Sequence, residues 1–284
     1  MSEPKDNRIG LIAGFGRFPI LLAQNARAEN VQVIAVGIRH EASPELEQHV
    51  EKLYWCGVAQ LGRLIDILKR EGIRRAVMAG KIHKTCMYTP LRLLRLWPDL
   101  RTVLLWYRRL RDRRDDTLLS AVAEELAREG ITLESSLRYS QNLLAREGVL
   151  TRSRPSDAEL RDIRFGWNLA REMGGLDVGQ SVAVREQAVL AVEAIEGTDE
   201  AIRRAGQLSN GGFVVVKVSK PDQDERFDVP TVGPDTVRAL AESGGRVLAV
   251  EADKTLFLDA EEALSEADRR KVAVVALREA PPGV

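Results

Sequence analysis

The chain has 284 residues, 44% of them hydrophobic and 30% charged, and its 42 basic and 42 acidic side chains leave no formal net charge. That is the content of a folded protein of one or two domains and excludes a disordered chain. The balanced charge argues against a long nucleic acid as the main partner, and no run approaches the roughly 18 apolar residues that a membrane span needs.

Two cysteines, Cys56 and Cys86, are too few for a disulfide framework and lack metal-ligand spacing. Residues 1–8 lack the cationic start and apolar core of a signal peptide. A soluble protein in a reducing, cytoplasmic setting is therefore expected.

Residues 9–13 read as a short buried strand running into Gly14-Phe15-Gly16-Arg17-Phe18-Pro19, with a helix over 20–28. Strand, glycine turn and helix start together resemble the opening of a nucleotide-binding fold, where bare backbone lets a phosphate reach the helix end. Gly14 and Gly16 are therefore candidate phosphate contacts, with an ordinary tight turn as the alternative. Further strands are expected at 31–36 and 76–79, with a helix over 61–71 between them. This alternation predicts a parallel sheet with ligands at the strand C-termini. Lys81, after Gly80 at one such end, is a candidate phosphate contact, with a solvated loop lysine as the alternative. Past the second strand comes Gly37-Ile38-Arg39-His40, without the acid that holds a ribose 2′-hydroxyl. Arg39 leaves an NADP-dependent oxidoreductase as the alternative function. His40, His49 and His83 sit in no zinc or triad spacing, and His83 reads as a loop residue.

Residues 91–114 mix apolar side chains with arginines. They read as a helical pair packed on the core with its arginines in water; the alternative is a basic amphipathic surface for an anionic membrane or a cover for acyl chains. Asp115-Asp116-Thr117 then opens a helix over 118–128, one acid serving as N-cap and the other spare for a metal or an arginine. Weak periodicity near 133–157 suggests a boundary, taken here as 1–135 and 136–284. A helix over 158–173 follows, with Gly174-Gly175 as its C-cap.

In the second half, 182–185 and 189–194 read as strands joined by a short turn. Glu193, Glu196, Gly197, Thr198 and Asp199 then lead into a helix. Free N–H groups at such a helix start welcome an anion, through Gly197 and Thr198, and carboxylates beside it make sense if a divalent cation bridges them to phosphate oxygens. Thr198 as a helix cap, helped by Asp199, is the alternative. A strand over 213–218 enters residues 217–233, where Lys217, Lys220 and Arg226 mix with Asp222, Asp224, Glu225 and Asp228. Such charge density demands solvent or a charged ligand. A helix over 234–243, a strand over 246–250, a helix over 261–270 and a strand over 272–277 that closes the sheet complete a second α/β domain.

Residues 10–19, Ala79-Gly80-Lys81, Asp115-Asp116, 176–180, 189–199 and 217–233 together resemble the LpxI family, the UDP-2,3-diacylglucosamine pyrophosphatases of lipid A biosynthesis. The likeness covers nearly the whole chain. It departs at Arg114, where glycine is expected, and at Arg185-Glu186-Gln187-Ala188, which lacks a glycine before the strand. The resemblance implies two domains, a Rossmann-like parallel sheet and a distinct C-terminal α/β domain, with the substrate cleft between them. It also implies a homodimer, and Mg2+-dependent hydrolysis of UDP-2,3-diacylglucosamine to UMP and 2,3-diacylglucosamine 1-phosphate (lipid X). The family's essential aspartate falls on Asp228. The chemistry of the residues agrees: cleaving a diphosphate needs cations to neutralise phosphoryl charge and a carboxylate to hold metal or orient water. Asp228 is thus expected to bind magnesium or activate water, with Glu193 and Asp199 as co-ligands and Lys217, Lys220 and Arg226 facing the diphosphate. Contact with the cytoplasmic face of the inner membrane is a further expectation.

Overall fold

The structure, a computed structural model, describes residues 7–82, 97–109, 115–221 and 223–282. Tertiary contacts divide the chain into one unit of residues 1–141 with 224–227 and a second of 142–223 with 228–284.

In the first unit β1 (Arg8–Ala13), β2 (Gln32–Ile38), β3 (Lys52–Cys56), β4 (Arg75–Ala79) and β5 (Thr132–Leu133) form a wholly parallel sheet in the order β3-β2-β1-β4-β5. Its central strands are near-continuous apolar runs because a parallel sheet is covered on both faces; β1 and β2 are buried beyond their first residue. Helices α1 (Phe18–Ala28), α2 (Leu61–Arg70), α3 (Leu100–Arg109) and α4 (Asp115–Arg128) accompany it. Strand β3, Lys52-Leu53-Tyr54-Trp55-Cys56, is an addition to the expected set: a half-covered edge strand lacks the apolar run that marks its neighbours. Helix α4 is described from Asp115 onward, so the paired acids lie within it instead of preceding it.

The sheet order makes β1 and β4 neighbours at the topological switch point, where the connections that follow β1 and β4 run in opposite directions. Gly14 and Lys81 emerge there side by side. Gly14 N–H donates to the Ala79 carbonyl at 2.8 Å, while Phe15 and Lys81 exchange two backbone bonds at 2.7 and 2.9 Å. A Cβ on Gly14 would stand 2.5 Å from the Lys81 carbonyl oxygen, so this glycine is required by close backbone approach.

The second unit holds β6 (Gly148–Val149), α5 (Asp157–Gly175), β7 (Ser181–Arg185), β8 (Ala188–Val192), α6 (Thr198–Leu208), β9 (Val214–Lys217), β10 (Thr231–Val232), α7 (Pro234–Glu242), β11 (Val247–Glu251), β12 (Leu256–Phe257), α8 (Ala260–Arg269) and β13 (Ala273–Leu277). The sheet runs β6-β13-β11-β9-β7-β8, with β9, β11 and β13 parallel and the flanking strands antiparallel. Strand β13 does not close it as expected, because the two-residue β6 pairs outside it. A separate parallel pair joins β10 to β12.

Side chains alternate across this sheet. Val214, Val216, Val247 and Ala249 meet Ile163, Trp167 and Ala170 of α5. Val215, Leu248 and Val250 meet Ile202 of α6, Val237 and Leu240 of α7 and Ala263 of α8 on the other face. Helix α5 opens on a capping box, Ser156 with Glu159, and continues through Gly174-Gly175 instead of ending before them. The reason is packing, since a Cβ on Gly174 would stand 3.2 Å from Lys220 Cα.

The hairpin turn between β7 and β8 has no glycine, yet Glu186 and Gln187 both take left-handed conformations, φ 52 and 58. The buried Asp162 carboxylate accepts both of their N–H groups at 2.9 and 2.7 Å, which offsets the steric cost.

Because its missing side chain lets β1 and β4 close at the switch point, Gly14→Ala is expected to lower stability by about 1–3 kcal/mol, read as the urea midpoint of the purified protein. An unchanged midpoint contradicts that account.

Candidate functional site

Strand β9 ends at Lys217, and the chain then makes a long excursion before returning as β10. Lys217 is only 3% exposed. A buried ammonium needs acceptors, and Lys217 Nζ donates to Thr198 Oγ1 at 2.8 Å and to the Thr231 carbonyl at 3.1 Å. Thr198 Oγ1 in turn donates to Glu193 Oε1 at 2.8 Å. Lys217 therefore ties the start of α6 to β10 and brings Glu193, Thr198 and Lys217 into one chain of polar contacts. Gly197, at φ 85, is the N-cap of α6, and Thr198 lies inside the helix with its hydroxyl turned to Glu193 and Lys217. Asp199 sits in the first turn of α6, where its charge favours the positive end of the helix dipole.

Three residues on, Lys220 is held differently. Its Nζ lies 2.6 Å from Asp177 Oδ1 and 3.4 Å from Asp228 Oδ2. Its backbone N–H donates to Gln223 Oε1 at 2.9 Å. Side-chain exposure rises from 10% at Lys220 through 15% at Asp177 to 32% at Asp228, so Asp228 is the member of the trio most open to solvent. Asp177 was not singled out from the sequence, although it lies in the Leu176-Asp177-Val178-Gly179-Gln180 motif. It follows α5 in a left-handed conformation, φ 56, which only the folded chain reveals as a partner for Lys220.

Arg226 belongs to the 224–227 segment, which is part of the N-terminal unit. Its Nε and Nη2 clasp the Asp224 carboxylate at 2.9 and 2.6 Å, and its guanidinium lies 4.9 Å from the Phe227 ring centroid. The hydrogen bonds from Arg226 hold the Asp224 carboxyl below its ordinary range. Phe227 packs on the N-terminal core, and the Ser135 hydroxyl donates to the Glu225 carbonyl at 3.2 Å. Lys217, Lys220, Asp228, Glu193, Gly197, Thr198 and Asp199 lie in the C-terminal unit, and Gly14, Gly16 and Lys81 in the N-terminal one. Gly16 and Lys81 are exposed, whereas Gly14 is buried with its N–H bonded inside the sheet.

Among the described residues no three acids, histidines or cysteines lie close enough together to hold a metal ion. Asp228, Glu193 and Asp199 therefore do not form a three-carboxylate cage. Asp228 and Asp177, both turned to one ammonium, nevertheless offer the hard oxygen donors that suit magnesium, which takes one or two carboxylates and draws its other ligands from water and phosphate. Thiol chemistry is disfavoured at Cys56, where burial pushes the thiol up to about 11.

A buried acid at the end of β11 completes the arrangement. Glu251 Oε2 accepts the Ser219 N–H at 2.9 Å and the Ser219 hydroxyl at 2.5 Å, while Oε1 meets Arg171 Nη2 at 2.6 Å and Lys254 Nζ at 2.9 Å. Burial alone would push its carboxyl up; the bonds from Ser219 and Lys254 and the charge of Arg171 outweigh that and leave it below the usual range.

Helix α3 departs from the expectation of an apolar face packed on the core. Leu105 is buried, but Trp97, Leu100, Leu104 and Tyr107 are 70%, 75%, 40% and 86% exposed. Arg101 is paired instead of solvated, with Nε 2.9 Å from Glu125 and Nη2 bonded to Glu129. Lys69 and Arg101 hold the Glu129 carboxyl down to about 2. His83, residues 91–96 and 110–114 of the amphipathic stretch, the side chains of Asp115 and Asp116, and Asp222 lie outside the described residues.

Thr198→Val removes the hydroxyl that links buried Lys217 to Glu193, and it is expected to lower stability by about 1–3 kcal/mol in urea denaturation. A variant as stable as the parent contradicts the assigned link.

Known proteins place the chain. The LpxI N-terminal domain model matches residues 8–143 and the LpxI C-terminal domain model residues 146–275. The UDP-2,3-diacylglucosamine pyrophosphatase LpxI of Caulobacter vibrioides is 30% identical over 272 residues, covering 92% of this chain and 94% of that protein. Among solved structures, the biotin carboxylase domain of the Hydrogenobacter thermophilus 2-oxoglutarate carboxylase is 12% identical, with 70% of this chain and 41% of that one covered and a TM-score of 0.24. The biotin carboxylase subunit of pyruvate carboxylase is also 12% identical, with 72% and 41% covered and a TM-score of 0.25. Such scores carry no argument about fold or function. The oxidoreductase alternative, built on the Gly14-x-Gly16 turn and Arg39, finds no support in these matches, and the Gly14 N–H is bonded to the Ala79 carbonyl. With both domains matched and a near full-length relative, the chain is a member of the LpxI family.

Proposed function

We propose that this protein is a magnesium-dependent pyrophosphohydrolase of lipid A biosynthesis that converts UDP-2,3-diacylglucosamine and water to UMP and 2,3-diacylglucosamine 1-phosphate. The observation that carries this reading is the match, over 92% of the chain, to a relative named for that activity. In the reaction a water oxygen bonds to phosphorus, the bridging P–O bond breaks, and the protons of water pass to solvent or to the products.

The residues supply what this chemistry needs. Negative charge builds on phosphoryl oxygens, and Lys220, fixed between Asp177 and Asp228, is a cation already oriented to meet it. Asp228, the most exposed of the three, presents a carboxylate to orient the attacking water or take its proton. Magnesium, when bound, supplies further charge neutralisation, and Asp228 would hold it together with the substrate's phosphate oxygens. Lys217, Thr198 and Glu193 act one step back, by fixing the strand end and helix start that flank the loop.

Purified protein with UDP-2,3-diacylglucosamine and magnesium is expected to release UMP, and Asp228→Ala to slow release by roughly 10²- to 10⁴-fold without loss of the folded state. Full activity in that variant removes Asp228 from the mechanism.

The reading extends to a homodimer and to contact with the cytoplasmic face of the inner membrane. Leu100, Leu104 and Tyr107 recur at helical spacing on α3 and are exposed, with Trp97 just before them. An exposed apolar row on a helix, in a stretch whose sequence is rich in arginine, suits an anionic bilayer surface. No helix among the described residues is long and apolar enough to cross a membrane. The protein is expected to sediment with anionic liposomes at low salt, and Leu100→Glu with Leu104→Glu to abolish sedimentation. Equal sedimentation by that variant rules out α3 as the contact.

A further inference from the structure

Among the described residues the buried charged side chains are Asp162, Lys217 and Glu251. Asp162 holds the β7–β8 turn and Lys217 ties α6 to β10. Glu251, 1% exposed, has no part in either.

A carboxylate at the end of an apolar strand is costly to bury, and well-packed apolar side chains commonly replace such groups without loss of stability. What an apolar residue cannot supply is a directed hold on another segment's backbone. Glu251 makes such a hold. Its two oxygens divide the work, with Oε2 taking both the N–H and the hydroxyl of Ser219 and Oε1 taking the cations Arg171 and Lys254. The cations allow the carboxylate to stay charged in its buried position, and the charge strengthens the bonds to Ser219.

Ser219 immediately precedes Lys220. Strand pairing sets Val250 beside Lys217, so Glu251 is in register with the first residues of the loop. Val218 N–H is bonded to the Gln180 carbonyl at 3.1 Å and Lys220 N–H to Gln223 at 2.9 Å. Each backbone N–H from 218 to 220 thus has a fixed acceptor, and that of Ser219 is the only one of these held by a charge. The side chain that leaves this pinned backbone is the one that reaches Asp228 at 3.4 Å.

We propose that Glu251 is a positioning residue for the hydrolytic site, which through Ser219 fixes the backbone from which Lys220 meets Asp228. The inference rests on the reading of Lys220 and Asp228 as the site of pyrophosphate hydrolysis.

The test compares full-length parent, Glu251→Gln, Ser219→Ala, the double variant and Lys254→Ala for release of UMP, with kcat and KM separated and thermal melting measured on each. Glu251→Gln is expected to lower kcat by roughly 10- to 100-fold with a much smaller change in KM. Ser219→Ala is expected to lower kcat in the same direction, and the double variant to be no slower than Glu251→Gln alone, because both act through one contact. Lys254→Ala, which touches only the other oxygen, is expected to keep kcat within about twofold. Should Glu251→Gln fail to fold, Ser219→Ala against Lys254→Ala carries the comparison. Parental kcat in the Ser219→Ala and Glu251→Gln proteins, or a kcat loss that follows melting temperature equally in all variants, overturns the positioning role and leaves the functional reading standing. A parent that turns over no UDP-2,3-diacylglucosamine overturns the functional reading itself and the inference with it.

Discussion

A lysine amine buried at a strand end must find acceptors or cost several kcal/mol. Lys217 finds them on Thr198 and Thr231, and the C-terminal unit is arranged around that necessity. The helix start that carries Thr198 has to lie beside β9, Glu193 has to come behind Thr198, and the excursion that leaves β9 has to return to within reach as β10. The loop is thereby closed at its base. Within the closed loop a second lysine, Lys220, stands between two carboxylates. The first lysine makes the scaffold, and the second is the one proposed for the chemistry.

The same principle separates residues of similar appearance in the sequence. In residues 217–233 the charges look alike, but folding sorts them. Lys217 is buried, Lys220 is clamped by Asp177 and Asp228, and Arg226 is paired with Asp224 in a segment that belongs to the N-terminal unit. For phosphoryl transfer the useful cation is one that need not reorganise as charge develops. Lys220 meets that description, since its backbone and its amine are both fixed.

Much of the architecture was legible because burial writes itself into sequence. The runs that became β1, β2, β4, β9, β11 and β13 are apolar but for at most one residue at an end, as strands covered on both faces tend to be. Edge strands were harder. Strand β3 is half-covered and β6 is two residues long, so neither carries an apolar run. Gly174-Gly175 read as a helix stop because glycine usually serves that purpose; their actual use, to admit the Lys220 backbone against α5, depends on a contact distant in sequence. Asp177 and Glu251 escaped notice for the same reason. Each is a single acid at the end of an element, and its importance comes from Lys220 and Ser219, which only the fold brings beside it. The motif around Asp228 was legible through its resemblance to a family, whereas the lysine held against it was named without its clamp.

The account's central claim is that the diphosphate is handled at Lys220 and Asp228. The most direct measurement is a crystal structure with UMP and 2,3-diacylglucosamine 1-phosphate bound. The account predicts a phosphate oxygen within about 3 Å of Lys220 Nζ, with the Asp228 carboxylate facing the same phosphate. Both phosphates bound elsewhere, for example on the exposed Gly16 turn, with neither near the Lys220 amine, would contradict it.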